Sequence, residues 1–173
     1  MKLETFALSL ALMLFLSCGA RAKTLEFPED EAQFAVTFAD NWKAEITSAK
    51  IISAGPKGAA YAIAIFPVKA TNASDAIEET MSEVQKRFQD VKSSQSTEFK
   101  TKNNITYSER DYTAKDDGSD RALAIIAFSP DGQKYYAIFQ AGTPEADKKY
   151  TQDVVAIVKS IKSLKAKFGG SAE

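Results

Sequence analysis

Residues 121–141 read Arg-Ala-Leu-Ala-Ile-Ile-Ala-Phe-Ser-Pro-Asp-Gly-Gln-Lys-Tyr-Tyr-Ala-Ile-Phe-Gln-Ala, and the fold class follows from this stretch. Two apolar runs, 122–128 and 135–141, flank Ser129-Pro130-Asp131-Gly132. Proline presets φ at the first corner of a turn and glycine tolerates positive φ, so the pair predicts a β-hairpin. Along the first run Leu123 and Ile125 point one way, while Ala124, Ile126 and Phe128 point the other. Both faces are apolar, which suits a strand covered on both sides in the middle of a sheet.

Working outward toward the C-terminus, Thr143-Pro144-Glu145 is a helix start, with a capping hydroxyl and proline at the first helical position. Tyr150, Val154, Ile157, Val158, Ile161 and Leu164 form one stripe. The helix is expected to run to Gly169-Gly170, with lysines gathered at its C-terminal end. Residues 169–173 form a tail.

Toward the N-terminus, Ile105–Thr113 predicts a longer, more polar strand near an edge, and Asp116-Asp117-Gly118-Ser119 a solvated turn. Thr97–Lys100 is a short strand. Ser74 is an N-cap residue type, followed by Ile77, Met81, Val84, Phe88 and Val91 at helical spacing. This predicts an amphipathic helix of about four turns. Ala60–Val68, Lys50–Ser53 and Ala44–Thr47 read as strands, and Phe34–Phe38 alternates weakly. Residues 23–33 form a lead-in or a short edge strand. Hairpin-linked strands segregated from two helices indicate α+β architecture, a largely antiparallel sheet packed between two main helices in an α/β/α sandwich. Alanines 60, 62, 64, 124, 127 and 137 would let helices approach the sheet closely.

The chain has 173 residues. The first 22 carry an export pattern: Lys2, an apolar region from Phe6 to Leu16, and the small-x-small sequence Ala20-Arg21-Ala22. The apolar run is too short to span a bilayer. Residues 23–168 then form a single domain. Cys18, the only cysteine, follows Phe15-Leu16-Ser17 and resembles a bacterial lipobox, so it is a candidate for lipidation. Cleavage before Cys18 and cleavage after Ala22 both fit the segment. Either product is exported, periplasmic or extracellular, with a lipid anchor at Cys18 as its one route to the membrane.

Removing Lys2, Glu4 and Arg21 with the leader leaves 20 basic and 22 acidic residues. A nucleic-acid binder shows a basic excess or stripe, which this chain lacks. The sequence contains no histidine, which excludes Ser-His-Asp and Cys-His nucleophiles and imidazole metal ligation. Ser160 and Lys162 lie two apart on the expected helix and would not face each other. Asp116, Asp117 and Asp120 do not have the spacing of an EF-hand loop. Adjacent Glu78 and Glu79 diverge on a helix and favour its N-terminal dipole. No catalytic, metal or cofactor site is expected. A carboxylate-dependent hydrolase would need acids converging in one cleft, and the spacing shows none.

Trp42 reads either as an exposed anchor or as a plug closing one end of the core. The tyrosines pose the same alternatives, and Tyr61, Tyr107 and Tyr136 are the candidate contacts with a partner or ligand.

The segment Phe38-Ala-Asp-Asn-Trp42, a strand before the capped helix at Ser74, the hairpin 122–141 and the closing Val158-Lys-Ser-Ile-Lys162 together resemble the PsbP-like superfamily. That group includes the extrinsic photosystem subunit, bacterial exported proteins of the DcrB type and a Ran-binding nuclear import factor. The resemblance covers nearly all of the chain after the leader. Ala39 and Asp40 stand where the family often has proline before the tryptophan. The resemblance implies an antiparallel sheet between helical layers and a role in binding other proteins rather than catalysis. The expected function is therefore a non-catalytic interaction or assembly module of the bacterial cell envelope that binds an envelope protein. The alternative is a small-ligand carrier with a pocket between sheet and helix, lined by Tyr61, Tyr107 and Tyr136.

Overall fold

The computed structural model describes residues 22–94, 96–101 and 103–165. Residues 1–21 of the export segment, Cys18 among them, and the tail at 169–173 lie outside them. In chain order the elements are β1 (Lys23–Phe27), β2 (Phe34–Phe38), β3 (Trp42–Ile46), β4 (Ile52–Pro56), β5 (Tyr61–Val68), α1 (Ala73–Val84), β6 (Gln89–Ser93), β7 (Thr97–Lys100), β8 (Thr106–Asp116), β9 (Ser119–Phe128), β10 (Tyr135–Gly142), α2 (Pro144–Ser160) and β11 (Lys162–Ser163). Eight strands make one antiparallel sheet in the order β3-β4-β5-β10-β9-β8-β6, with β7 beside β6 on the outer edge of β8. A separate three-stranded sheet, β1-β2-β11, lies apart from it in hydrogen bonding.

The hairpin β9–β10 sits mid-sheet as its sequence requires, with Tyr136 opposite Phe128 and Gly142 opposite Ala122. In its turn the Asp131 Oδ1 accepts the backbone N–H groups of Gln133 and Lys134 at 2.8 and 2.9 Å. The β8–β9 turn has Asp117 and Gly118 both at positive φ, the conformation that closes a two-residue hairpin with the twist of its strands.

Each face of the sheet has its own core. Leu123, Ile125 and Ala127 face α1 and pack with Ala76, Ile77 and Met81. Ile126, Phe128, Tyr136 and Ile138 face α2 and the small sheet, against Phe34, Phe38, Val154, Ile157 and Val158. The fold is an α/β/α sandwich in which the second layer is a helix plus a small sheet.

Both helices are shorter than their apolar periodicity predicts. The first ends at Val84, where the N–H groups of Gln85 and Phe88 close the last turn on Met81 and Val84 carbonyls. Phe88 stays buried in that turn, and Val91 packs on the same cluster from strand β6. The N-cap is Asn72, not Ser74: its Oδ1 accepts the Asp75 N–H at 2.9 Å while its Nδ2 donates to the Asp75 carboxylate at 2.7 Å. At the other end of the chain Ser160 stops α2, its Oγ accepting the Thr37 N–H at 2.9 Å and donating to the Ile157 carbonyl at 2.6 Å. Ile161 turns extended with its side chain fully buried, and Lys162–Ser163 pairs with β2. Leu164, placed on the helix stripe by its spacing, is 44% exposed. A buried side chain at every third or fourth position does not require a helix when the chain turns into a strand against the same core.

The strand alanines serve two different purposes. Ala127 lies under α1, whereas Ala62, on the same face, is exposed because no helix covers β5 there. Among the described residues no helix is long and apolar enough to cross a membrane.

Candidate binding cleft between the sheet and the second helix

On the face toward α2, the strand register aligns side chains in rows across the sheet. One row is Asp111, Ala124, Gln140, Ile63, Ala54 and Ala44; its neighbour is Glu109, Ile126, Ile138, Ile65, Ile52 and Ile46. Both rows are apolar over β3–β5 and acidic at β8. The second helix crosses above them and carries Asp147, Thr151, Val155 and Lys159 at steps of four, which places them on one side of it. Between helix and floor is a cleft of about 350 Å³. Its floor is Glu109, Asp111, Ala124, Ile126 and Gln140, its wall is α2 from Asp147 to Lys159, and Phe99 forms the β7 side. Ala124 is central to it, since only a methyl group separates Asp111 from Gln140 along their row.

Three carboxylates share this cleft. Partial burial raises the pKa of Glu109, and the negative charges of Asp111 and Asp147 push it further. Asp111, the most exposed of the three, is raised by partial desolvation and by the negative charge of Asp147. Asp147 is raised by burial, with the Tyr61 hydroxyl working in the opposite direction. None of the three forms a salt bridge among the described residues. No group of three or more acidic or sulfur ligands among the described residues is arranged to hold a metal ion.

Behind the acids, Tyr61 organises the floor. Its ring lies over Gly142, where a Cβ would come within 2.3 Å of the tyrosine Cδ2. Its hydroxyl donates to the Gln140 Oε1 at 2.8 Å and lies 3.4 Å from the Asp147 Oδ1. Burial holds the phenol protonated well above its ordinary range. Gln140 is only 5% exposed. With Oε1 engaged by Tyr61, its Nε2 faces the cleft and makes no hydrogen bond among the described residues.

The four aromatic candidates read from the sequence are all buried. Trp42 is 4% exposed and closes the end of the core beside Tyr61 and Tyr150. Tyr107 stacks between Phe99 and Phe128, at 5.2 and 5.5 Å, and donates to the Val158 carbonyl at 3.3 Å. Tyr136 packs among Phe27, Phe34 and Phe128 under the small sheet, and burial pushes its hydroxyl up to about 12. A cleft between sheet and helix exists, but Tyr61, Tyr107 and Tyr136 support it from behind or alongside rather than line it. The convergence of Glu109, Asp111 and Asp147 was absent from the sequence reading. The available signal was Gln140, the one amide in an otherwise apolar strand, in register with Ala124.

No family model matches the sequence, and no curated protein matches it. Solved structures do. The cyanobacterial PsbP (CyanoP) of Synechocystis sp. PCC 6803 superposes with a TM-score of 0.58 at 8% identity, covering 83% of this chain and 93% of that one. The chain has the PsbP-like fold. LpqN of Mycobacterium tuberculosis, described as involved in cell envelope biogenesis, gives 0.56 at 7% identity over 83% and 91% of the two chains. PA94 of Pseudomonas aeruginosa, a protein of unknown function described as a regulator candidate, gives 0.51 at 12% identity over 80% and 94%. At these identities the PsbP-like likeness concerns the fold, and function must be argued from the site.

Proposed function

We propose that this chain is an exported, non-catalytic binding module of the bacterial cell envelope whose contact site is the cleft between α2 and the β8–β9–β10 floor. The observation that carries the reading is a concave, apolar-walled space holding three carboxylates without ion-pair partners. Its volume of about 350 Å³ is in the range of sites that enclose a small molecule or one side chain of a partner. The export leader at residues 1–22 supports the location, and acylation at Cys18 would anchor the domain to the membrane. The described role of LpqN, which shares the fold, is in keeping with an envelope setting.

Catalysis is the weaker reading for a physical reason. Acid–base hydrolysis needs two carboxylates whose environments push their pKa values apart, one held protonated and one ionised. Burial raises Glu109, Asp111 and Asp147 alike, and none has a salt-bridge partner among the described residues that would hold it ionised beside a protonated neighbour. The Ser160–Lys162 pair offers nothing further, because the Ser160 hydroxyl is engaged with β2 and Lys162 lies in strand β11.

A photo-cross-linking residue placed at Thr151, exposed on the cleft wall, tests this in the native cells, with Thr24 on the exposed part of β1 as control. A discrete protein adduct from position 151 and none from position 24 supports a partner seated in the cleft. The same cleft serves the second reading, a small-ligand carrier, which native mass spectrometry would reveal as a co-purifying mass lost from a Val155→Trp variant. An absence of both results overturns the binding-module reading.

A further inference from the structure

Resting on the reading of the cleft as a binding site, we infer that it recognises a primary ammonium group with an acceptor oxygen one or two atoms away, carried on an apolar body. The sites for the two polar halves are separate. Glu109 and Asp111 on β8 and Asp147 on α2 converge from two layers, so a cation between them meets acceptors from floor and wall. Gln140, two strands from Asp111, offers the opposite function: a residue only 5% exposed whose side-chain N–H group is reached from the cleft and has no hydrogen-bond partner among the described residues, held in that orientation by the Tyr61 hydroxyl on its oxygen. Two strands is about 10 Å between backbones. With only the Ala124 methyl between, the gap left by the two side chains suits a group of two or three heavy atoms.

A bare divalent cation fits less well. It needs several oxygens at one point, and the acids are not so arranged. An ammonium donates three hydrogen bonds in spread directions and tolerates acceptors drawn from different elements. A simple alkylamine leaves the Gln140 N–H unsatisfied, and an uncharged amide leaves the carboxylates uncompensated, both costly in a partly desolvated site. Ile126, Val154, Val155 and Val158 supply the apolar wall. Lys159, at the C-terminal end of the cleft wall, disfavours a second positive charge there. The matching chemistry is an α-amino carbonyl or a β-amino alcohol, found respectively at the free N-terminus of a polypeptide and in small amino alcohols.

The test is an NMR titration of the purified protein, following backbone amides and the Gln140 side-chain amide. The probes are L-leucinamide, isopentylamine, which lacks the oxygen, and N-acetyl-L-leucinamide, which lacks the cation. Leucinamide is expected to shift Gln140, Thr151 and Val155 and to bind roughly tenfold more tightly than either control, a difference at the upper end of what one hydrogen bond contributes net. Gln140→Leu should remove the advantage over isopentylamine. Glu109→Gln with Asp111→Asn should remove the advantage over the acetylated probe. L-Leucinol and the peptide Leu-Ala-Ala-amide then separate the sources, the tighter one naming an amino alcohol or a chain terminus. Equal affinity of all three first probes at the cleft overturns the ammonium inference while leaving a binding cleft. If no probe shifts cleft residues, and the dispersed spectrum shows the protein folded, the binding-site reading itself fails.

Discussion

The indole N–H of Trp42 donates to the Asp153 carboxylate across 3.1 Å, joining the edge strand β3 to the middle of α2. Without it, the side-chain donor of a buried tryptophan would be left unsatisfied, and the polar link of α2 to this end of the sheet would be reduced to the longer Tyr61–Asp147 contact at 3.4 Å. Trp42→Phe keeps most of the ring packing with Tyr61 and Tyr150 but removes the donor. We expect a loss of roughly 1.5–3 kcal/mol, the range for a hydrogen bond to a charged group. Trp42→Ala adds a cavity and should cost about 3–5 kcal/mol. Denaturant unfolding of both variants checks the pair, and a neutral Trp42→Phe would show that the bond contributes nothing net.

Gly142 is required by Tyr61 rather than by its own backbone, since its φ is not in the left-handed region. Gly142→Ala would place a methyl group within 2.3 Å of the tyrosine ring, and overpacking of this kind costs about 1–3 kcal/mol. Because the displaced ring carries the hydroxyl that orients Gln140, the cleft should change with it. The double variant Gly142→Ala, Tyr61→Ala should lose less than the sum of the single losses. Strict additivity in thermal unfolding would separate the two residues energetically.

For the first helix the capping residue is Asn72, with Asp75 returning a carboxylate to its side-chain amide. Asn72→Ala should destabilise the domain by about 1 kcal/mol. Ser74→Ala, on an exposed residue already inside the helix, should change stability by less than about 0.5 kcal/mol. The ranking of the two in chemical denaturation checks the assignment, and the reverse ranking would return the cap to Ser74.

That pair of residues also marks where the sequence stops being informative. Asn72 and Ser74 are both cap residues by type, and only the hydrogen bond to the Asp75 N–H decides between them. The central hairpin was legible because Pro130 and Gly132 constrain the backbone locally and the flanking runs have a period of two. Both helix ends were not: Phe88, Val91, Ile161 and Leu164 continue a helical spacing, yet the first three reach the core from a turn, a strand and an extended residue. The cleft was least legible of all. Glu109, Asp111 and Asp147 come together only through the pairing of β8 with β9 and the passage of α2 above. Long-range register of this kind leaves no local pattern in the chain. Alternation in β8 shows Glu109 and Asp111 on one face, but nothing in it says that the face is covered.

The clustered acids should make stability depend on pH in an unusual direction. A carboxyl whose pKa is higher folded than unfolded binds its proton more tightly in the native state. Its contribution is therefore zero below the ordinary carboxylate range, becomes unfavourable as pH rises through the raised value, and stays so above it. Glu109 is the cleanest probe, because burial and two neighbouring negative charges all push it upward. Asp147 is less clean, since it sits in the first turn of α2 where the helix dipole favours a negative charge. Glu109→Gln keeps the size and removes the charge. It should raise the Tm at pH 7 by about 1–3 °C, a modest gain because the group is half-exposed and solvent screens it. At pH 3, where the native carboxyl is already neutral, the variant and the parent should melt together. Thermal unfolding at the two pH values decides the matter: a variant less stable than the parent at pH 7 would mean that Glu109 is held by a favourable interaction, and that the cleft is not a site of uncompensated charge.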